Sequence, residues 1–202
     1  MDRFCQYCNS DNIVKYGVRV NKTGGNSQRY FCNSCKKEFS IRDDRGCDRE
    51  IRRAIVTPDK HFPYEDKPAI NALLKAIDLV KPSIYIDLGD TGEWESVSQW
   101  KWKRKKRPPL EYMIPEIDKE VAAVNAGMDL IDHALDRVNC DERHFIEGNH
   151  DNWLNRFVEG YPYLGQYRLK KAIKLDERGY TYHPFGKFLK IGKLFFYHGH
   201  QY

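Results

Sequence analysis

The sequence predicts an α/β domain preceded by a small β domain stapled by a metal. Three observations carry this prediction. Short apolar runs alternate with helix-period segments after about residue 50, two Cys-x-x-Cys knuckles precede them, and a charged stretch lies between. The chain has 202 residues, enough for one or two domains. With 41% apolar residues and a formal charge of +5, its composition is that of a globular protein rather than a disordered one. No apolar run approaches the roughly 20 residues of a membrane span. The start, Met1-Asp2-Arg3-Phe4-Cys5, lacks the apolar centre of a secretory signal. The expected location is therefore the cytoplasm, with no membrane partner. In that reducing compartment six cysteines are not expected to form a disulfide framework.

Cys5-x-x-Cys8 is followed by Cys32-x-x-Cys35, and 23 residues separate the pairs. Two such knuckles complete a tetrahedral four-thiolate site, for which zinc is the expected metal. Between them, 13–20 reads as a strand, Gly24-Gly25 as a turn, and Gln28-Arg29-Tyr30-Phe31 as a returning strand. The pattern is a zinc ribbon over residues 1–46, similar to ribbons in transposases and other nucleic-acid-handling proteins. So short a segment buries too little apolar surface to fold unaided, so the metal is expected to supply much of its stability. The competing reading is four free thiols at accidental spacing. Cys47 and Cys140 are expected to be ordinary small residues, and 41–50 is the expected linker.

In the second domain, over 47–202, Ala54-Ile55-Val56-Thr57 reads as a strand. Pro68 then opens a helix with Ile70, Leu73, Leu74, Ile77 and Val80 on one face, and Pro82 ends it. Ile84-Tyr85-Ile86-Asp87-Leu88 is the next strand. A helix is predicted over about 116–138, with Ile117, Val121, Val124, Met128, Ile131 and Leu135 at helical spacing. Phe145-Ile146 and Leu194-Phe195-Phe196-Tyr197 complete the strands. The β-α-β-α-β order is what implies an α/β class.

Ligand-type side chains follow each strand: Asp59-Lys60-His61, Gly89-Asp90, Gly148-Asn149-His150-Asp151 and His198-Gly199-His200. Loops beyond the carboxyl ends of strands converge on one edge of an α/β sheet, so these segments are expected to meet. Mixed imidazole, carboxylate and amide donors suit Mn, Fe, Zn or Ni better than a thiolate-loving metal. Among these pieces Gly148-Asn149-His150-Asp151 is the most specific. At about 5% usage per position, a given tetrapeptide arises in a chain this long on the order of once per thousand.

The order D-x-H, G-D, G-N-H-D, H-G resembles the calcineurin-like metallophosphoesterases over about residues 50–202. The wording around Pro58 to Tyr64 and Leu88-Gly89-Asp90 is similar to phage and bacterial forms, which would place the chain in a host cytoplasm if phage-encoded. The resemblance implies a β-sandwich flanked by helices and a hydrolase acting through two divalent metals, Mn first among them. Asp59 and His61 would bind one metal with Asp90, and Asn149 and His198 the other, again with Asp90. His150 would contact the phosphoester and act as general acid, a task suited to imidazole. Asp151 would orient His150, or merely cap the helix that follows. The family closes with a downstream G-H-x-H, each histidine binding one metal. Here Gly199-His200-Gln201-Tyr202 only imitates it. The expectation is a C-terminally incomplete domain, truncated or completed differently, with weakened metal binding. His200 is read as a partner of a ligand, a substrate contact or a plain loop residue. His133, His144 and His183 are read as surface or structural.

Trp100, Lys101, Trp102, Lys103, Arg104, Lys105, Lys106 and Arg107 sit between the second and third motifs. Their cations attract phosphate backbones and their rings can stack on unpaired bases. Pro108-Pro109 is expected to keep the following chain extended. The alternative is a solvated basic loop with its tryptophans packed on the core. Arg19, Lys22, Arg29, Lys36 and Lys37 make the ribbon basic as well, so nucleic acid is the expected partner. The leading reading is a two-metal phosphodiesterase, a nuclease on DNA or RNA. Two others stand beside it: a non-catalytic nucleic-acid-binding protein with an incomplete phosphoesterase domain, and a phosphoprotein or nucleotide phosphatase.

Overall fold

The cysteine-rich segment forms a three-stranded antiparallel sheet: β1 (Ile13–Val20), β2 (Asn26–Cys32) and β3 (Glu38–Ile41), in that spatial order. The structure is a computed structural model and describes residues 4–20, 26–41 and 52–199. The chain divides into two compact units, 1–51 and 52–202. In the first, the β1–β2 register breaks between Lys15 and Val18. Gly17 lies at that break with φ +104°, where a bulge needs a residue without a Cβ. Among its described residues, Cys5, Tyr30, Cys32 and Phe39 are the buried apolar ones. The turn expected at Gly24-Gly25, and residues 42–50 of the linker with Cys47, fall outside the described residues. Strand β3 was not foreseen, because four residues are too few for a period to register.

The second unit is a parallel four-stranded sheet. Strands β4 (Ala54–Thr57), β5 (Ile84–Asp87), β6 (Glu142–Ile146) and β7 (Tyr180–His183) lie side by side in chain order. Between them run α1 (Lys67–Val80), α2 (Leu110–Arg137), α3 (Asn149–Gly160) and the short α4 (Leu169–Ala172). Parallel neighbours joined in sequence by right-handed crossovers place every helix on the same face of the sheet. Accordingly Tyr85, Phe145 and Tyr180 share one core with Ile77 of α1, Ile117, Val124, Met128, Ile131 and Leu135 of α2, and Leu154 and Phe157 of α3. The alternate strand residues Ile84, Ile86 and Ile146 point to the other face. There they pack with Leu189, Ile191 and Phe196. Those three belong to an antiparallel hairpin, β8 (Leu189–Ile191) and β9 (Leu194–Phe196).

Local chemistry explains the helix ends. The Asp66 carboxylate accepts the Ala69 N–H (3.3 Å), Pro68 lies in the first turn, and Lys81 ends α1 in the left-handed conformation. Two expectations need correction. The chain after Pro109 is not extended: Pro109, with φ −55° and ψ 151°, occupies the cap position of α2, which begins at Leu110 rather than near 116. The interior Pro115, on the exposed side, breaks the apolar period and masks the first turn from a sequence reading. The strand leading to His198 is not in the parallel sheet; β7 is the fourth strand there, and β9 belongs to the hairpin. No helix among the described residues is long and apolar enough to cross a membrane.

Candidate metal centre

Three segments reach the centre from the carboxyl ends of β4, β5 and β6, and the fourth from the hairpin lying against the same sheet. Asp59, His61, Asp90, Asn149, His150 and His198 line one cavity of about 370 Å³ together with Pro58 and Leu88. The backbone is bent hard to achieve this. Asp59, His61, Asp90 and Trp94 have φ of 50°, 51°, 51° and 52°, a left-handed conformation that non-glycine residues adopt at a cost. Backbone bonds hold the bends, from the Asp59 N–H to Gly89 O (3.1 Å) and from the His61 N–H to Asp90 O (3.0 Å).

Buried charges lock the scaffold beneath. Lys60, between two cavity residues, points the other way and pairs with Asp87 at 2.7 Å, both side chains almost fully buried. Asp87 also accepts from the Gly89 N–H (3.0 Å) and the Thr91 hydroxyl (3.0 Å). Asp151 has no solvent exposure. It accepts from the Asp90 N–H (2.8 Å), the Gly148 N–H (3.2 Å) and Trp94 Nε1 (2.9 Å). Burial, and then the neighbouring Asp90 charge, push its pKa up to about 7. Asp151 thus ties the Asp90 loop to the start of α3. The hydrogen bond to the His150 ring comes from elsewhere: Nδ1 faces the Glu93 carbonyl at 3.0 Å, and the ring stacks on Trp153 at 3.9 Å.

The donor atoms face one another as ligands of a common cation do. Asp90 Oδ2 lies 3.3 Å from His198 Nε2, and the near end of the Asn149 amide lies 2.8 Å from that nitrogen and 3.3 Å from Asp90 Oδ2. A cation with ligands at roughly 2.1 Å separates them by about 3.0–3.4 Å. His198 Nδ1 meets the Leu88 carbonyl at 2.9 Å, which leaves the Nε2 lone pair directed inward. Burial opposes charging of His198, but its bond with Asp90 prevails and raises its pKa. Asp59, Asp90 and His198 form one group with ligand atoms within 4.8 Å, and His61, Glu93 and His150 form another. His61 links the two, with Nε2 3.9 Å from Asp59 Oδ1 and Nδ1 2.7 Å from Glu93 Oε2. That Nδ1 is buried and has no aligned hydrogen bond among the described residues. Glu93 had escaped the sequence reading. Its only signal was an acidic residue three places after Asp90 in Gly89-Asp90-Thr91-Gly92-Glu93.

In the first unit, Cys5, Cys8, Cys32 and Cys35 place their sulfurs within 4.8 Å of one another. Cys5 pairs with Cys35 and Cys8 with Cys32, each at 3.6 Å. A tetrahedral site with metal–sulfur bonds of about 2.3 Å has sulfurs about 3.8 Å apart. The Cys35 N–H, and then that of Ser34, bring the Cys32 pKa down to about 6 against the opposing effect of burial. The four cysteines can therefore hold a metal.

The basic segment divides. Trp102 is half-buried, with Nε1 donating to Ser96 O (2.8 Å), and Lys101 pairs with Glu95 (2.7 Å). Arg107 is half-buried over Phe157. Trp100 is 69% exposed with Lys103 over its ring, and Lys103, Arg104, Lys105 and Lys106 make no ion pair among the described residues. In the ribbon, Arg29 is paired with Glu38, and Lys22 lies outside the described residues. Cys140 and His144 are buried, His144 facing His183 at 3.2 Å, and His133 is exposed on α2. His200 lies outside the described residues. Comparison of the chain with protein-family models, with curated proteins and with solved structures finds no match.

Proposed function

We propose that this chain is a two-metal phosphodiesterase of the calcineurin-like metallophosphoesterase type, acting on nucleic acid and carrying a structural zinc in its ribbon. The observation that carries this reading is the convergence of Asp59, His61, Asp90, Asn149, His150 and His198 on one cavity, with their donor atoms turned toward each other. Asp59, His61, Asp90, Asn149 and His198 would hold the two ions, of which Mn, Fe, Zn or Ni suits these donors. When bound, such a pair neutralises phosphate charge and activates water.

The chain's own residues would do the rest. The positive dipole end of α3 begins at Asn149 and His150, which line the cavity, and this favours an anionic phosphate there. His150 keeps Nε2 unengaged by the contact that holds Nδ1, and it is the group to protonate the departing oxygen. Glu93 steadies both His61 and His150 from behind. Trp100 and Lys103 through Lys106 present a stack-and-charge surface for single strands.

After dialysis with Mn and Zn available, the purified chain is expected to hold about three metal ions and to cleave a phosphodiester. His150→Ala should keep the metals and lose about 10²–10⁴ in turnover. Full activity in that variant would remove the acid role. One tightly held ion with no turnover would leave a nucleic-acid-binding protein instead. Cys32→Ser should release one ion and expose the 1–51 unit to protease, because so short a unit, with four buried apolar residues among those described, cannot hold together without metal. An unchanged proteolysis pattern would overturn the structural role of the cysteine site.

A further inference from the structure

A second cavity, of about 480 Å³, opens among Tyr64, Trp102, Tyr112, Glu95, Lys101 and Glu120. Its volume is that of a small-molecule site. Two of its walls, Tyr64 and Glu95, come from the loops that carry the candidate centre, and Tyr112 and Glu120 come from α2. Tyr64 follows His61 by three residues and donates its N–H to the His61 carbonyl (2.7 Å), and Glu95 follows Glu93 by two. A chain segment spans at most about 3.6 Å per residue, so the Tyr64 backbone stands within about 11 Å of the His61 backbone. We propose that this cavity receives the nucleobase attached to the hydrolysed phosphoester, stacked among Tyr64, Trp102 and Tyr112. This inference rests on the phosphodiesterase reading and assigns the part of the substrate that the metal centre does not touch.

The polar groups favour a flat, neutral ligand over a cation. Glu95 is already matched by Lys101 Nζ (2.7 Å) and by the Tyr64 hydroxyl (3.1 Å). Lys101 itself sits 5.4 Å from the centre of the Trp102 ring, so the π face already has its cation. Glu120 is anchored by the Ser96 N–H (3.0 Å) and hydroxyl. Each of its oxygens keeps a further lone pair for a base N–H. Aromatic faces together with a lysine donor and a carboxylate acceptor are what a heterocycle with mixed edges requires. Tyr64 and Tyr112 are each 66% exposed, so their ring faces are open to a ligand.

Thymidylate binding, followed by equilibrium dialysis without added Mn and compared with inorganic phosphate, separates this inference from the catalytic reading. The wild-type chain is expected to bind thymidylate saturably and more tightly than phosphate. Tyr64→Ala and Tyr112→Ala should each weaken that binding about tenfold, the loss of one stacking partner. The preference for the p-nitrophenyl ester of thymidylate over methyl p-nitrophenyl phosphate should fall in parallel. No saturable thymidylate binding, or equal binding by both variants and wild type, would overturn the base site whatever the hydrolysis shows. If neither ester is hydrolysed while the substitutions still weaken thymidylate binding, the phosphodiesterase reading fails and the base site stands.

Discussion

Asp90→Asn is expected to abolish the cleft metals and lower phosphodiester turnover by at least about 10³-fold, while destabilising the metal-free fold only modestly. Asp90 is 4% exposed and is held from both sides. Oδ1 accepts the His150 N–H at 2.8 Å, and Oδ2 faces His198 Nε2 at 3.3 Å. Burial alone would raise its pKa, but the His198 and His150 contacts outweigh burial and hold the carboxyl below its usual value. The group is therefore an anion in the folded chain. An asparagine has the same shape and can still accept from His150. Its Nδ2 still faces His198 and Asn149, but the charge that strengthens the bond with His198 is lost. A cation, by contrast, would lose the one charged donor common to its neighbours. Thermal melts with and without Mn report both effects. At a hundredfold excess over Kd a bound ion stabilises by about 2.7 kcal/mol, or about 5–10 °C for a unit of this size. The wild type should show that rise and Asp90→Asn should not. An equal Mn-dependent rise in both would remove Asp90 from the ligand set.

How much of this was legible in the sequence depends on the range over which each feature is specified. Helix α1 was readable because Pro68, the apolar face and Pro82 are all local. Helix α2 was readable in its middle and not at its start, since Pro115 interrupts the period that a neighbouring core restores. The ligand-type residues stood out because Gly148-Asn149-His150-Asp151 is compact and each motif follows a strand. Their partners did not. Glu93 meets His61 and His150 only through left-handed turns at His61, Asp90 and Trp94, which residue types alone do not announce. Asp151 sits beside His150 in sequence, yet the helical turn sends its carboxylate back to the Asp90 loop. The hairpin posed a different problem. Leu194 to Phe196 reads as a strand in either position, and only the apolar back face of β5 and β6 decides that it packs across the sheet. The basic segment was legible as charge. That Trp102 is anchored while Trp100 is free to stack depends on a bond to Ser96 that spacing does not reveal.

Gly148→Ala should be severely damaging for a single methyl group added to the cleft. Gly148 has φ −83° and ψ 177°, ordinary extended backbone that alanine adopts without strain. The difficulty is space. A Cβ there would lie 2.1 Å from Asp90 Oδ1 and 2.4 Å from the Asp90 backbone nitrogen. Neither atom is free to yield, since Asp90 N–H is bound to Asp151 and Oδ1 to the His150 N–H. Moving them means separating the loop after β5 from the start of α3, and that closeness is what brings Asp90 to Asn149. Overpacking of a fixed core costs about 1–3 kcal/mol, and here the loss should be at the upper end or beyond. Gly160→Ala is the control, at the end of the same helix with open space around the added methyl. It should be neutral or stabilise by about 0.5–1 kcal/mol. Melting of both variants with and without Mn distinguishes the cases. Gly148→Ala should melt several degrees lower and lose the Mn-dependent rise, whereas Gly160→Ala should keep both. If Gly148→Ala retained the wild-type melting point and its response to Mn, the close approach of the two loops, and with it the shared placement of Asp90 and Asn149, would be wrong.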